Sequence, residues 1–544
     1  MLLTRATDVV LQEQAPPQKR PRAALTLAVF LVALIAILPG LGAQNISSRD
    51  EARPALVAKE MLATGQWAVP HIGGRIYAAK PPLFPAIVAL VSPRRVSEWS
   101  LRAPSAVAAA LTVAMIYVLG SHLMGSAAGV TAAAILASSA TFYQWARTGR
   151  MEMLLVLFIT LGCWSLVCWL ETGRARHAGL LGVWIALGIL TKGPMALLPA
   201  VIAAIVVRLG PRPPRLRAHA ALCGLAMSAI VFLWLGIAWL TSADFIAYIR
   251  ALPATFYGEL TVSRSRNMLL LIAGGFFPWT LTLPAAAVLV RRSWRSVGPA
   301  LLMPAVWAAT TFVIVATMLS PRDAYFLPVY PALALLVAGA WHVARDRWLA
   351  GLFYPLGIAG LGLVLLTAAL TLFEGSVTVP VGHGGIALRG AASTFTVGLF
   401  LLLAVIGVYT CLRAGRRTLA AVGTAVGILG VFIFVETGRT PTVNRKLPTR
   451  AAAARLAAVM PAKASVAHLD HRHLTALAFY FHHRSIQVSK PTDFGALRGR
   501  RDVFLLLTED ELPVTADGAP IPVVPIAREC FDDVCYVVAA FSGG

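Results

Sequence analysis

The sequence predicts an α-helical polytopic membrane protein of about thirteen transmembrane helices, closed by a small α/β domain outside the membrane. Three observations predict it. Hydrophobic residues make up 58% of the 544 residues and charged residues only 13%, against roughly a quarter charged in ordinary soluble domains. Mean hydropathy is +0.74. The apolar residues gather into runs of bilayer-crossing length as far as Gly438, after which the chain becomes mixed polar and apolar. A disordered chain, a collagen-like rod and a disulfide-knotted secreted domain are excluded.

The first run, Ala23–Ala43, follows Lys19, Arg20 and Arg22. It is about 20 residues long and lacks a clear small-residue cleavage site, so it reads as a transmembrane helix with the N-terminus cytoplasmic. Further spans are expected at 102–123, 127–146, 152–170, 178–191, 194–208, 219–241, 268–290, 298–319, 325–344, 351–372, 393–413 and 418–436. Alternation then places on one side Arg174/Arg176, Arg208/Arg212/Arg215/Arg217, Arg291/Arg292/Arg295, Arg345/Arg347 and Arg413/Arg416/Arg417, with the N-terminal cluster. The positive-inside rule makes that side the cytoplasm. Merging the two spans around Lys192-Gly193-Pro194 would put Arg291, Arg292 and Arg295 outside, so the pair counts as two. The formal charge of +23 is largely explained by these loops and needs no nucleic-acid partner.

Two regions result: a transmembrane domain, 1–438, whose first outer loop is 44–101, and a periplasmic domain, 439–544. The latter carries strand-like runs at Ser465–Leu469, Ser485–Val488, Val503–Thr508, Val523–Ile526 and Tyr536–Phe541, with a helical stretch near Leu474–Phe481, the pattern of a small α/β domain. Cys530 and Cys535 would form a short-loop disulfide in an oxidising compartment and stay free thiols otherwise. His468, His471, His473, His482 and His483 lack metal-ligand spacing and read as a solvated surface. No confident metal site emerges; a divalent ion beside the carboxylates is left open.

With sides assigned, basic residues stand on every outer connection between the first ten spans. The first loop holds Arg49-Asp50-Glu51-Ala52-Arg53 and Tyr77-Ala78-Ala79-Lys80-Pro81-Pro82. Later ones hold Arg147, Arg150 and Glu152; Lys192; Arg264 and Arg266; Arg322 and Tyr325, with Tyr330 about a turn below. Cations are expected to be scarce there, and charge at the membrane edge is costly, so the set wants an anion. A phosphate fits, bound by Arg as a fork and by Lys as a point charge. The bland alternative for Arg102, Arg147 and Arg322 is snorkelling to the headgroups, and for Asp50-Glu51 a helix N-terminal acidic pair. Lys192 interrupts a long apolar stretch and is harder to dismiss. No glycine-rich phosphate loop and no nucleophile elbow occur. An outward-facing site cannot reach cytoplasmic nucleotides, so its donor must be carried in the lipid.

These residues resemble the GT-C class of membrane glycosyltransferases, nearest the lipid A aminoarabinose transferases and bacterial relatives of protein O-mannosyltransferases. The resemblance rests on RDEAR at 49–53, YAAKPPL at 77–83, RxxRME at 147–152, LTKGP at 190–194 and PRDAYFLPVYPALALL at 321–336. It implies a polyprenyl-phosphate-linked sugar donor used at the outer face of the bacterial inner membrane. It implies Asp50 as the catalytic or acceptor-positioning carboxylate. Lys80, Arg53 and an arginine of the 264–266 group would hold the lipid phosphate, with Tyr77, Lys192 and Tyr325 lining the cavity. Glu152 stands where relatives often carry Asp, and Pro54 where aminoarabinose transferases often carry an aromatic. Both departures bear on the sugar and the acceptor rather than the fold.

The expected chemistry is transfer of a sugar, 4-amino-4-deoxy-L-arabinose on the nearest resemblance, to lipid A or another envelope acceptor. A hydroxyl acceptor would hand its proton to Asp50 or Glu51, whereas a phosphate acceptor needs no base. Transfer to protein hydroxyls is the alternative within the class. A lipid-linked-sugar flippase would share the cations but would also place polar groups through the span interiors. A monomer is expected.

Overall fold

The structure, a computed structural model, describes residues 22–209, 213–258, 268–293, 299–317, 323–343, 377–381, 384–388, 399, 402, 405–488, 490–510, 513 and 520–542. The expected span at 351–372, most of 393–404, and Arg264, Arg266 and Arg322 lie outside them.

The chain is mostly helical. Helix α1 (Ala23–Ile37) leads to α2 (Arg49–Thr64), which starts at the Ser48 cap, whose hydroxyl accepts from the Glu51 amide at 3.3 Å, and stops at Gly65 in the left-handed conformation, φ 72°. A hairpin of β1 (His71–Ile72) and β2 (Arg75–Ile76) turns at Gly73 and Gly74, both at positive φ, whose amides donate to the Glu60 carboxylate at 2.5 and 2.7 Å. Then come α3 (Leu83–Leu90), α4 (Glu98–Met124), α5 (Ser126–Ala137), α6 (Ala140–Ala146), α7 (Glu152–Thr172) and α8 (Ala175–Lys192). After Gly193-Pro194 and one 3₁₀ turn follow α9 (Leu198–Leu209), α10 (Leu216–Thr241), α11 (Phe245–Gly258), α12 (Met268–Gly275), α13 (Leu283–Ser293) and α14 (Pro299–Thr317). A 3₁₀ segment, Asp323–Val329, opens α15 (Tyr330–Val343), and a hairpin pairs β3 (Val377–Val381) with β4 (Gly384–Leu388).

Among the described residues, five helices are long and apolar enough to cross a membrane, and α5 with α6 would make a sixth, bent by 69°. The single span expected at 127–146 is therefore a broken one, turning at Ser138-Ser139. The span expected at 268–290 is likewise two helices joined through Trp279–Thr282. Helices meet through glycines: a Cβ on Gly129 of α5 would lie 2.1 Å from the Ser121 Oγ of α4. Without a hydrophobic force between helices in lipid, such close backbone approach is what holds them. No residue in the window that makes α10 a candidate span is fully buried, so α10 stands at the rim of the bundle, packed on α8 where a Cβ on Gly182 would lie 2.1 Å from the Cys223 carbonyl oxygen.

Helix α16 (Arg417–Lys446) runs past the expected boundary at 438 into α17 (Thr449–Ala458). The C-terminal domain is a five-stranded sheet of order β6-β5-β7-β9-β8, built from β5 (Ser465–Leu469), β6 (Arg484–Val488), β7 (Val503–Thr508), β8 (Val523–Phe531) and β9 (Val534–Phe541), with α18 (Arg472–Tyr480) between β5 and β6. Strand β5 is parallel to both neighbours, and β9 is antiparallel to both of its own. The sheet has its own apolar core around Leu456, Val466, Leu477, Leu505 and Tyr536. Cys530 and Cys535 are disulfide-bonded across the β8–β9 turn. Of the five histidines expected on a solvated surface, His471 and His482 are exposed and His483 is half-buried, but two depart from it. His468 and His473 are buried, and His468 bonds the Ser485 hydroxyl and the Leu469 carbonyl at 2.8 and 2.9 Å. His468 sits on the interior strand β5, where a buried imidazole with both nitrogens bonded fills the inward face.

Candidate active site

The first turn of α2 presents two adjacent carboxylates in different directions. Glu51 points into the protein. Its Oε1 accepts from Arg102 Nε at 2.7 Å and from the Gly149 amide at 2.9 Å, and its Oε2 from Arg102 Nη2 at 3.0 Å. Arg102 also donates to the Leu41 and Gln44 carbonyls at 2.9 and 2.8 Å. Burial alone would raise the Glu51 pKa, but Arg102, the Gly149 amide and Arg150 outweigh it and hold the carboxyl below its ordinary value. Gly149 has to be glycine: a Cβ there would lie 2.4 Å from Leu101 Cγ. Arg102 is therefore not a snorkelling residue, and Glu51, read as a catalytic candidate, has both oxygens committed to an internal strut. Arg147 likewise turns inward, donating to the Ile37 carbonyl and lying 5.6 Å from the Tyr143 ring centre.

Asp50 points the other way, its side chain 30% exposed. Its Oδ2 is 3.3 Å from Arg150 Nη1. Arg150 lies over the Trp145 ring at 4.7 Å and reaches Glu152 Oε1 at 3.0 Å. The same Glu152 oxygen meets Lys192 Nζ at 3.2 Å, and Lys192 sits 4.6 Å from the Tyr325 ring centre. A continuous line, Asp50–Arg150–Glu152–Lys192–Tyr325, thus joins α2, the loop before α7, the end of α8 and the segment before α15. Glu152 and Lys192 are nine-tenths buried, and their opposite charges make that burial tolerable. Lys80 lies within electrostatic range of Lys192. Helix α8 stops with Lys192 in place because Gly193, at φ 80°, and Pro194 cannot continue it.

Beside this line, Arg53 lies 6.0 Å from the Tyr77 ring centre. Burial lifts the Tyr77 hydroxyl to about 12, so it stays protonated at neutral pH. Arg53 is engaged by Asp470 of the C-terminal sheet domain, with Nε to Oδ1 at 3.2 Å and Nη2 to Oδ2. Tyr330 does not join the group; its ring stacks on Phe276 at 5.8 Å within the helical core.

Sequence reasoning missed Trp145, Asp470 and Lys59. Lys59 donates to the carbonyls of Phe479 and Phe481 at 2.9 Å each, and burial lowers its pKa to about 8. The usable signal for Lys59 was a lysine on the apolar face of an amphipathic helix. Among the described residues no group of three or more His, Cys, Asp and Glu converges; the site carboxylates face Arg and Lys instead.

Residues 79–239 match the family described as dolichyl-phosphate-mannose-protein mannosyltransferase. The chain is 27% identical over 376 residues to the undecaprenyl phosphate-alpha-4-amino-4-deoxy-L-arabinose arabinosyl transferase of Pectobacterium atrosepticum, a match covering 63% of this chain and 65% of that one, just short of two thirds of the relative's length. It is 25% identical over 452 residues to the transferase of the same name from Edwardsiella ictaluri, with 76% of each chain covered. The crystal structure of ArnT from Cupriavidus metallidurans bound to undecaprenyl phosphate superimposes with a TM-score of 0.74 at 20% identity, over 96% of this chain and 99% of that one. The chain is a polytopic membrane protein with an ArnT-like GT-C fold.

Proposed function

We propose that this chain is a polyprenyl-phosphate-sugar-dependent glycosyltransferase of the bacterial inner membrane. It transfers 4-amino-4-deoxy-L-arabinose from undecaprenyl phosphate to lipid A on the periplasmic face. The observation that carries the reading is the line of charges from Asp50 to Lys192. Basic side chains brought from separate segments flank a single half-exposed carboxylate, an arrangement that suits a leaving phosphate and an incoming acceptor. The names of the matched relatives and the fold support the donor.

In the reaction the bond between the anomeric carbon and the carrier phosphate oxygen breaks. Its electron pair leaves with polyprenyl phosphate, and an acceptor oxygen bonds to the same carbon. Negative charge grows on the leaving phosphate, so preorganised cations do the most there. Lys80, Lys192, Arg150 and the open side of Arg53 supply them, with Arg264 or Arg266 as a further candidate, and Tyr77 and Tyr325 wall the donor. Glu152 holds Arg150 and Lys192 at a fixed spacing. Asp50, rather than the committed Glu51, faces the acceptor. It orients an already ionised lipid A phosphate, or takes the proton if the acceptor is a hydroxyl. The charge pattern supports thirteen spans, a cytoplasmic N-terminus and a periplasmic sheet domain.

The test incubates purified protein in detergent with undecaprenyl-phosphate aminoarabinose and lipid A, with mass spectrometry of the product. Aminoarabinose-modified lipid A is expected. Hydrolysis of the donor without transfer, or no turnover with any lipid-linked sugar, would overturn the reading.

A further inference from the structure

We infer that Asp470, in the outer domain, is a positioning residue of this site: it grips Arg53 from the side and keeps that arginine from collapsing onto Asp50. The inference rests on the activity proposed above. A guanidinium is a planar fork, and a carboxylate that takes Nε and one Nη fixes where the other Nη points. Asp470 takes Nε and Nη2, and the remaining Nη1 stands 3.9 Å from Asp50 Oδ1. That is ion-pair range one helical turn away, so an ungripped Arg53 has Asp50 as its nearest anion. Closing on it would neutralise the carboxylate that the reaction needs exposed. The arginine would also be withdrawn from the phosphate.

Asp470 is itself held firmly. It is the residue after β5, the strand flanked by parallel neighbours on both sides, at the carboxyl end where open α/β sheets place their sites. Thr475 Oγ1 donates to its Oδ1 at 3.3 Å, and Arg49 Nη1 donates to its backbone carbonyl at 3.3 Å. Two arginines of RDEAR thus converge on one residue of the outer domain.

Attachment of the domain does not depend on this pair. Lys59 grips the end of α18, and the Tyr480 hydroxyl donates to Glu98 at 2.8 Å while accepting from the Ile46 amide at 2.7 Å. The Asn45 amide donates to Asn444 at 2.8 Å, and Arg75 pairs with Asp493 at 3.1 Å. At Gly73 the hairpin touches β6 so closely that a Cβ would lie 2.4 Å from the Gln487 nitrogen. Asp470 and Asp493 therefore belong to one interface, but only Asp470 reaches the site, and comparing them separates positioning from attachment.

The experiment measures kcat and donor KM of the full chain in detergent for Asp470→Asn, Asp470→Glu, Asp493→Asn, Arg53→Gln and the Asp470→Asn/Arg53→Gln double variant. Hydrogen exchange of amides 49–56 is followed in each. Asp470→Asn should lower kcat by about ten- to a hundredfold, the scale of a lost hydrogen bond to a charged group. Asp470→Glu should recover most of it, and Asp493→Asn should match the unaltered protein. The double variant should be no slower than Arg53→Gln alone, because Asp470 acts through Arg53. Exchange at 49–56 should rise for Asp470→Asn and stay at the unaltered level for Asp493→Asn. Equal losses in Asp470→Asn and Asp493→Asn, or multiplying losses in the double variant, would overturn the inference. If the unaltered protein turns over no lipid-linked sugar, the proposed activity falls instead, and equal exchange at 49–56 in the two Asn variants then overturns the inference separately.

Discussion

One face of α2 carries Glu51 and the other carries Asp50, and their surroundings differ more than their chemistry. Glu51 has a dry environment, a bidentate arginine and a backbone amide, so both of its oxygens are engaged. Asp50 is partly exposed, 3.3 Å from one arginine and 3.9 Å from another. A carboxylate saturated by its own protein fixes geometry, whereas one left partly solvated beside cations can still meet a substrate. The helix is anchored through its inward face so that its outward face stays in register.

Breaking each face in turn should give different failures. Asp50→Asn is expected to cost the largest effect, a fall of about 10²–10⁴-fold in turnover as for a lost catalytic carboxylate, with thermal unfolding unchanged. Unfolding at a lower temperature would move Asp50 to the structural side. Glu51→Ala should show the reverse, a loss of about 3–5 kcal/mol of stability because Arg102 is left buried without its anion, read by thermal unfolding in detergent. Gly149→Ala forces a methyl group against Leu101 and should cost about 1–3 kcal/mol, as overpacked sites do. Replacing both Cys530 and Cys535 with Ser should cost about 2 kcal/mol or less by loop-closure entropy. That loss should be confined to the outer domain and leave donor KM unchanged, and a shifted KM would tie β8–β9 to the site.

Acid sharpens the same contrast. The folded-state pKa of Glu51 lies below the unfolded one, so the unfolded chain binds the extra proton as pH falls. The strut contributes fully above about pH 4.3, the unfolded value. Its contribution is then lost as pH drops through the folded value. Acid unfolding of the Glu51→Gln variant should lack this component, and superimposable acid curves would show that the strut adds nothing.

Much of this was legible in the residues. Ser465–Leu469 and Val503–Thr508 were bounded correctly because short apolar runs between turn residues have few alternatives to a strand. Four of the five motifs hold Asp50, Arg150, Glu152, Lys192 and Tyr325, which the structure brings together. The break at Ser138-Ser139 was missed because no proline or glycine marks it. Arg102 looked like a headgroup residue because nothing local shows that its partner lies 51 positions earlier. Asp470 was invisible for the same reason on a larger scale: a single aspartate in a polar tail carries no sign that it meets an arginine 417 residues away. Pairings at such distances are decided by topology.

That separation constrains biosynthesis. Helix α2 follows the first apolar run out of the ribosome, yet Asp470, Phe479 and Phe481, which clamp it, are made only after α16. The nascent chain therefore carries an unfinished candidate site for nearly the whole of its synthesis, and prematurely terminated copies should accumulate in the membrane as inert protein.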